Sequence, residues 1–136
     1  MISKYVLNEF SPENFALKLT NHDESFLIAE CDSNVVGFIE SVENRPCPQE
    51  PEATLEIDKF YVMPRFHGYE IGSKLLQETT KLCQRKGYSC LWLMTWEQNF
   101  NGIRFYEKNG FKDMGFINFK IGNIDAPNII FIKKNL

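Results

Sequence analysis

Leu55-Glu56-Ile57-Asp58-Lys59-Phe60-Tyr61-Val62-Met63-Pro64-Arg65-Phe66-His67-Gly68-Tyr69-Glu70-Ile71-Gly72-Ser73-Lys74-Leu75-Leu76 reads as a strand, a turn and the opening of a helix. The strand covers Ala53 to Met63 and is stopped by Pro64, which cannot donate to a ladder. After the turn, Ile71, Leu75, Leu76, Thr79, Leu82 and Cys83 recur at helical spacing. Lys81, Arg85 and Lys86 crowd the final turns, where cations oppose the negative end of the helix dipole, and Gly87 supplies the stop. Ser89 to Thr95 follows as nearly unbroken apolar sequence, the pattern of a strand covered on both faces. Strand, helix and strand in that order predict a right-handed crossover, hence a parallel pair made by 53–63 and 89–95.

Working outward, Phe26 to Cys31 and Val35 to Val42 are strand-like runs joined by the turn-rich Asp32-Ser33-Asn34, a hairpin pattern. Ser11-Pro12-Glu13 reads as an N-cap, a first-position proline and a first-turn acid, so a short helix is expected to about Leu19. Glu43 to Glu52 holds Pro46, Pro48 and Pro51 without apolar period and is expected to be a surface loop. Downstream, Asn101 to Lys108 predicts a second helix ended by Asn109-Gly110, with closing strands over Lys112 to Ile121 and Asn128 to Lys133. The expectation is one α/β (α+β) domain spanning 1–136, a mixed twisted sheet with a central parallel pair and helices packed on it. No internal repeat or linker divides it.

Composition narrows the functional classes. Hydrophobic residues at 43% and charged residues at 24% describe a globular chain rather than a disordered one. Fifteen Lys+Arg against eighteen Asp+Glu, with the basic residues scattered, argue against nucleic-acid binding. Cys31, Cys47, Cys83 and Cys90 form no C-x-x-C, and His22 and His67 stand far apart, so neither a metal site nor a Cys-His nucleophile is expected. No apolar run is long enough to span a bilayer and no secretory pattern opens the chain, which points to a cytoplasmic protein with no membrane role.

The turn 65–74 is placed where chemistry is cheap. A helix N-terminus leaves amides unpaired and carries partial positive charge, so a diphosphate fits there. The Rossmann glycine pattern fails, because only Gly68 and Gly72 are present, and the P-loop pattern is one residue short. A plain helix-start turn stays open on these residues alone.

The wider sequence resembles the GCN5-related N-acetyltransferase (GNAT) superfamily. Its coenzyme turn reads Gln/Arg-x-x-Gly-x-Gly/Ala before a helix. Here His67, Glu70 and Gly72 take those three places ahead of Ser73-Lys74-Leu75-Leu76. Two of the three depart from the pattern. The Glu70 carboxylate should repel a diphosphate, weakening binding without abolishing it, since its amide remains. Leu91 to Asn99 followed by Gly102-Ile103-Arg104-Phe105-Tyr106-Glu107-Lys108-Asn109-Gly110-Phe111 resembles the second coenzyme-binding segment. The Trp96-Glu97-Gln98-Asn99 version is similar to a bacterial spermidine/spermine acetyltransferase-like subfamily. The resemblance also implies an N-terminal strand and first helix, and against that pattern this chain is expected to begin inside the second helix.

The resemblance implies transfer of acetyl from acetyl-coenzyme A to a primary amine, with a polyamine favoured, by direct attack in a ternary complex. Coenzyme contacts fall to Tyr61, Val62, His67, Gly68, Tyr69, Glu70, Ile71, Gly72, Ser73, Asn99 and Tyr106. Tyr106 is implied as the acid that serves the departing thiolate, and Glu56, with Asp58 second, is the expected base. Each role has a structural alternative: core packing for Tyr61, Val62 and Tyr106, a helix N-cap for Asn99, an ion-paired carboxylate for Glu56. Two rival readings are a non-catalytic acyl-coenzyme A-binding or dimerisation module and a protein acetyltransferase acting on lysine or an N-terminus. A homodimer is left open.

Overall fold

The computed structural model describes residues 4–10, 15–20, 26–50, 54–67 and 70–134. In chain order the elements are β1 (Lys4–Phe10), β2 (Phe15–Thr20), β3 (Phe26–Cys31), β4 (Asn34–Glu43), β5 (Thr54–Val62), a 3-10 turn (Pro64–Phe66), α1 (Ile71–Arg85), β6 (Cys90–Trp96), α2 (Phe100–Lys108), β7 (Lys112–Ile121) and β8 (Ile124–Lys134). Two compact units divide them: residues 1–42 with 58–82, and residues 43–57 with 83–136.

In the first unit, β1, β2, β3 and β4 form an antiparallel meander, with β5 next to β4. The β3–β4 hairpin forms where the sequence predicts it. Asp32 and Ser33 both take positive φ (51° and 69°), the handedness a two-residue hairpin turn requires. The helix expected to about Leu19 is corrected: residues 15–20 are strand β2, paired with β1 and β3. Phe15, Leu17 and Leu19 alternate with Ala16, Lys18 and Thr20, so strand period competed with helix period and sheet pairing decided. The proposed cap at residues 11–14 lies outside the described residues. Strands β1 and β2 also stand where the resemblance placed part of a helix.

Helix α1 buries the face read from the sequence: Ile71, Leu75, Leu76, Thr79, Leu82 and Cys83 are all inaccessible. Gly87 ends it at φ 82°, with Tyr88 N–H donating to the Cys83 carbonyl (3.1 Å), the wrap typical of a left-handed helix stop. Gly37 has a separate purpose. A β-carbon there would lie 3.0 Å from the Tyr61 carbonyl oxygen, so only glycine lets β4 approach β5 this closely.

In the second unit, Thr54 to Ile57 of β5 pair in parallel with Cys90 to Leu93 of β6, confirming the predicted crossover. β8 pairs antiparallel with β6 and with β7, in the order β5-β6-β8-β7. The result is a mixed sheet. Cys47, Cys90, Trp92, Ile130 and Ile132 form a core cluster on one of its faces.

The described part of segment 43–52 is largely the surface loop expected, with two residues turned inward. Cys47 (5% exposed) and Glu50 (7%) are buried, a short bridge joins them, and Glu50 is ion-paired with Lys134. Polar partners let Glu50 turn inward while Pro46 and Pro48 stay exposed, as the sequence suggests. Pro51 and Glu52, like Ala53 at the start of the predicted strand, lie outside the described residues. Among the described residues no helix is long and apolar enough to cross a membrane.

Candidate active site

At the turn before α1 the helix leaves its first amides without intrahelical partners. The first intrahelical bond runs from Lys74 N–H to the Glu70 carbonyl (3.0 Å), so the amides of Ile71, Gly72 and Ser73 have no partner within the helix. Glu70 itself sits at φ 63°, in the left-handed region. That is the physical reason a glycine suits this place, because an L side chain there costs about 1–2 kcal/mol. Gly68 and Tyr69 lie outside the described residues.

Two expected ligand contacts in the same unit satisfy each other instead. His67 Nε2 lies 2.8 Å from the Val62 carbonyl, and His67 N–H donates to the Pro64 carbonyl (3.1 Å). The imidazole therefore closes the strand-to-helix turn. Tyr61 is half exposed, with its ring 6.2 Å from that of Phe38. Asp58 is ion-paired to Lys59 (3.2 Å), which also reaches Glu40 (3.1 Å).

The second unit carries Glu56, Asn99 and Tyr106. Glu56 stands opposite Trp92 on the parallel ladder, is 4% exposed, and accepts a hydrogen bond from Arg45 Nη1 at 3.0 Å. The Arg45 carbonyl in turn accepts from Thr54 Oγ1 (2.7 Å) and Trp92 Nε1 (3.3 Å), which fixes the Arg45 main chain. Sequence reasoning missed Arg45. Its only signal was a lone cation in a proline-rich segment.

Asn99 is the N-cap of α2: its Oδ1 accepts from Gly102 N–H (3.2 Å) and its Nδ2 donates to Thr95 Oγ1 (2.9 Å). A β-carbon at Gly102 would overlap the Asn99 amide, so the small residue three places on belongs to the cap. Tyr106, two turns into α2, lies among Phe105, Phe111 and Phe131, with ring centroids 5.7, 6.0 and 5.8 Å away. The Tyr106 ring therefore packs among aromatic side chains.

Burial pushes the Tyr106 phenol up to about 12, and burial followed by the neighbouring Cys90 does the same to the Cys83 thiol. Both groups are held in their neutral forms. An unfolded phenol loses its proton near pH ~10 and a thiol near ~8.5, so the folded chain retains protons the unfolded chain has lost. Their contribution to stability is complete at neutral pH and disappears as pH rises toward about 12. The denaturant midpoint is expected to stay level from pH 7 to about 8.5 and to fall above it, less steeply in Tyr106→Phe. A flat midpoint to pH 11 would contradict the burial assigned to both groups.

A model described as the acetyltransferase (GNAT) family matches residues 3–111. The chain belongs to this family. Members of the family are acetyltransferases, and this chain is one of them. Spermidine N(1)-acetyltransferase of Thermoplasma acidophilum is 32% identical over 139 residues, taking in 98% of this chain and 76% of that protein. An uncharacterized N-acetyltransferase of Mycobacterium tuberculosis is 27% identical over 133 residues, 98% of this chain and 81% of the relative. The PaiA N-acetyltransferase of Thermoplasma acidophilum, solved in complex with coenzyme A, superposes with a TM-score of 0.62 at 32% identity. That match covers 80% of this chain and 59% of the solved one, so the chain spans less than two thirds of that protein.

Proposed function

We propose that this acetyltransferase moves an acetyl group from acetyl-coenzyme A to a primary amine of a polyamine. The observation that carries the reading is the 32% identity to a spermidine N(1)-acetyltransferase across 98% of this chain. The amides of Ile71, Gly72 and Ser73 would hold the diphosphate, and the main chain of Tyr61 and Val62 would lie along the pantetheine arm. Since the Val62 carbonyl already accepts from His67, that strand would offer its remaining groups. Asn99 would act from its cap position, by fixing the start of α2.

An ammonium with pKa ~10.4 is neutral in about one molecule per thousand at pH 7.4, a cost of roughly 4 kcal/mol. A base that accepts its proton is therefore useful. Glu56 takes that role in this reading, with Asp58 second. In this reading Arg45, donating to Glu56 Oε1 at 3.0 Å, would orient the carboxylate for that transfer. The amine nitrogen attacks the thioester carbonyl, its carbon–sulfur bond breaks, and the thiol leaves. Tyr106, neutral over the working range, donates a hydrogen bond to the departing sulfur. A phenol near 12 gives a proton reluctantly to a thiolate near ~8.5, so this donor stabilises developing charge and the final proton comes from the medium.

An acceptor panel tests the proposal. Thiol release from acetyl-coenzyme A is expected with spermidine and spermine at least about tenfold above lysine-containing peptides in kcat/KM. Turnover confined to peptides would replace the polyamine by a protein acceptor. Coenzyme binding without release for any amine would leave a binding module.

A further inference from the structure

Glu56 already carries a cation in the resting chain. Arg45 Nη1 lies 3.0 Å from Glu56 Oε1, and the two side chains differ in accessibility, 47% for Arg45 against 5% for Glu56. Glu56 stands opposite Trp92 on the parallel ladder, and Trp92 is packed with Cys47, Cys90, Ile130 and Ile132. A carboxylate enclosed beside such neighbours is costly to leave without a positive partner. An amine that is to reach it must come to a place a guanidinium now fills.

The Arg45 side chain can leave that place without moving the loop. Its main chain is fixed, because its carbonyl accepts from Thr54 Oγ1 and Trp92 Nε1. The guanidinium ends a flexible stem that is half in water, where a single ion pair contributes little. Glu56 therefore requires a cation, but not this one.

We propose, on the reading of Glu56 as the base, that Arg45 is a positioning residue that holds the acceptor's place. Its guanidinium keeps the Glu56 carboxylate in one orientation until an acceptor ammonium displaces it, and then swings outward into water. One cation replaces another, so the buried carboxylate is never left unpaired. A neutral or anionic acceptor offers Glu56 no such replacement and leaves Arg45 where it is. Only the fraction of chains whose Arg45 has swung away can take the acceptor, which raises KM by the reciprocal of that fraction. Arg45 is off Glu56 in the ternary complex, so kcat does not depend on it.

Arg45→Ala is expected to lower the KM for spermidine about fivefold with kcat within about twofold of the wild type. Methylguanidinium at about 10 mM should refill the vacated place, inhibiting the variant competitively against spermidine and the wild type at least about fivefold more weakly. Arg45→Gln keeps a donor for Glu56 without the charge and carries the same expectation should the alanine variant not fold. Lys134 stands on buried Glu50 in a similar pair, 53% and 6% exposed, so Lys134→Ala is the control and should leave KM within about twofold. An unchanged or raised KM in both Arg45 variants would overturn the proposal. So would a fall in kcat, the absence of competition by methylguanidinium, or an equal drop in KM for Lys134→Ala. Glu56→Gln separates the proposal from the reading beneath it. Untouched turnover in Glu56→Gln removes the base and Arg45's role together; a loss of about a hundredfold in kcat beside an indifferent Arg45→Ala removes Arg45's role alone.

Discussion

Tyr106→Phe is expected to lower kcat about a hundredfold while leaving the dissociation constant of acetyl-coenzyme A within about twofold. The variant keeps the ring, and with it the contacts to Phe105, Phe111 and Phe131, so α2 should stay in place. What it removes is a hydroxyl that burial holds neutral up to about pH 12. A neutral donor contributes little to a ground-state thioester, whose sulfur is a weak acceptor, and much to a sulfur gaining negative charge. Loss of such an interaction lowers kcat and kcat/KM together. Stopped-flow thiol release with saturating polyamine, beside calorimetric titration of the coenzyme, separates the two quantities. Unchanged turnover would return Tyr106 to a packing role alone.

Glu70→Gly is expected to tighten coenzyme binding by roughly fivefold to tenfold and to stabilise the fold by about 0.5–1 kcal/mol. The two effects have different origins. Glu70 sits at φ 63°, where a side chain is strained; glycine relieves that strain but loses part of the gain through its freer unfolded chain. Separately, a carboxylate within roughly 7 Å of a doubly charged diphosphate in a watery site costs about 1 kcal/mol. Glu70→Gln distinguishes them: it should recover most of the affinity and none of the stability. An unchanged affinity in both variants would mean that the carboxylate points clear of the ligand.

Side-chain period and turn chemistry were enough to place β3, β4, β5, α1, β6 and α2 within a residue or two. They also yielded the parallel pair, since a crossover of that length closes with one hand. Residues 15–20 failed for a definite reason: Phe15, Ala16 and Leu19 satisfy a helix and Phe15, Leu17 and Leu19 satisfy a strand. Six residues cannot resolve the two periods, and pairing with β3 settled the matter. The site shows the same division. Asn99 and Gly102 were visible as a motif, but that they form a single cap, with the amide filling the space a side chain would need, is a three-dimensional fact.

The order of apolar and turn residues determined the strand–helix–strand centre, and the motifs of residues 67–76 and 91–111 marked the family and the residues proposed to serve the coenzyme. These are properties of near neighbours in the chain, where spacing dictates geometry. Only the tertiary structure decided that Arg45 grips Glu56, that the Trp92 indole N–H reaches the Arg45 carbonyl, and that the His67 ring caps the Val62 carbonyl. Each of these depends on where a hydrogen-bonding group finds its partner after folding, which in two cases is a residue on another strand or loop. A linear pattern records the need for such a partner but not its address.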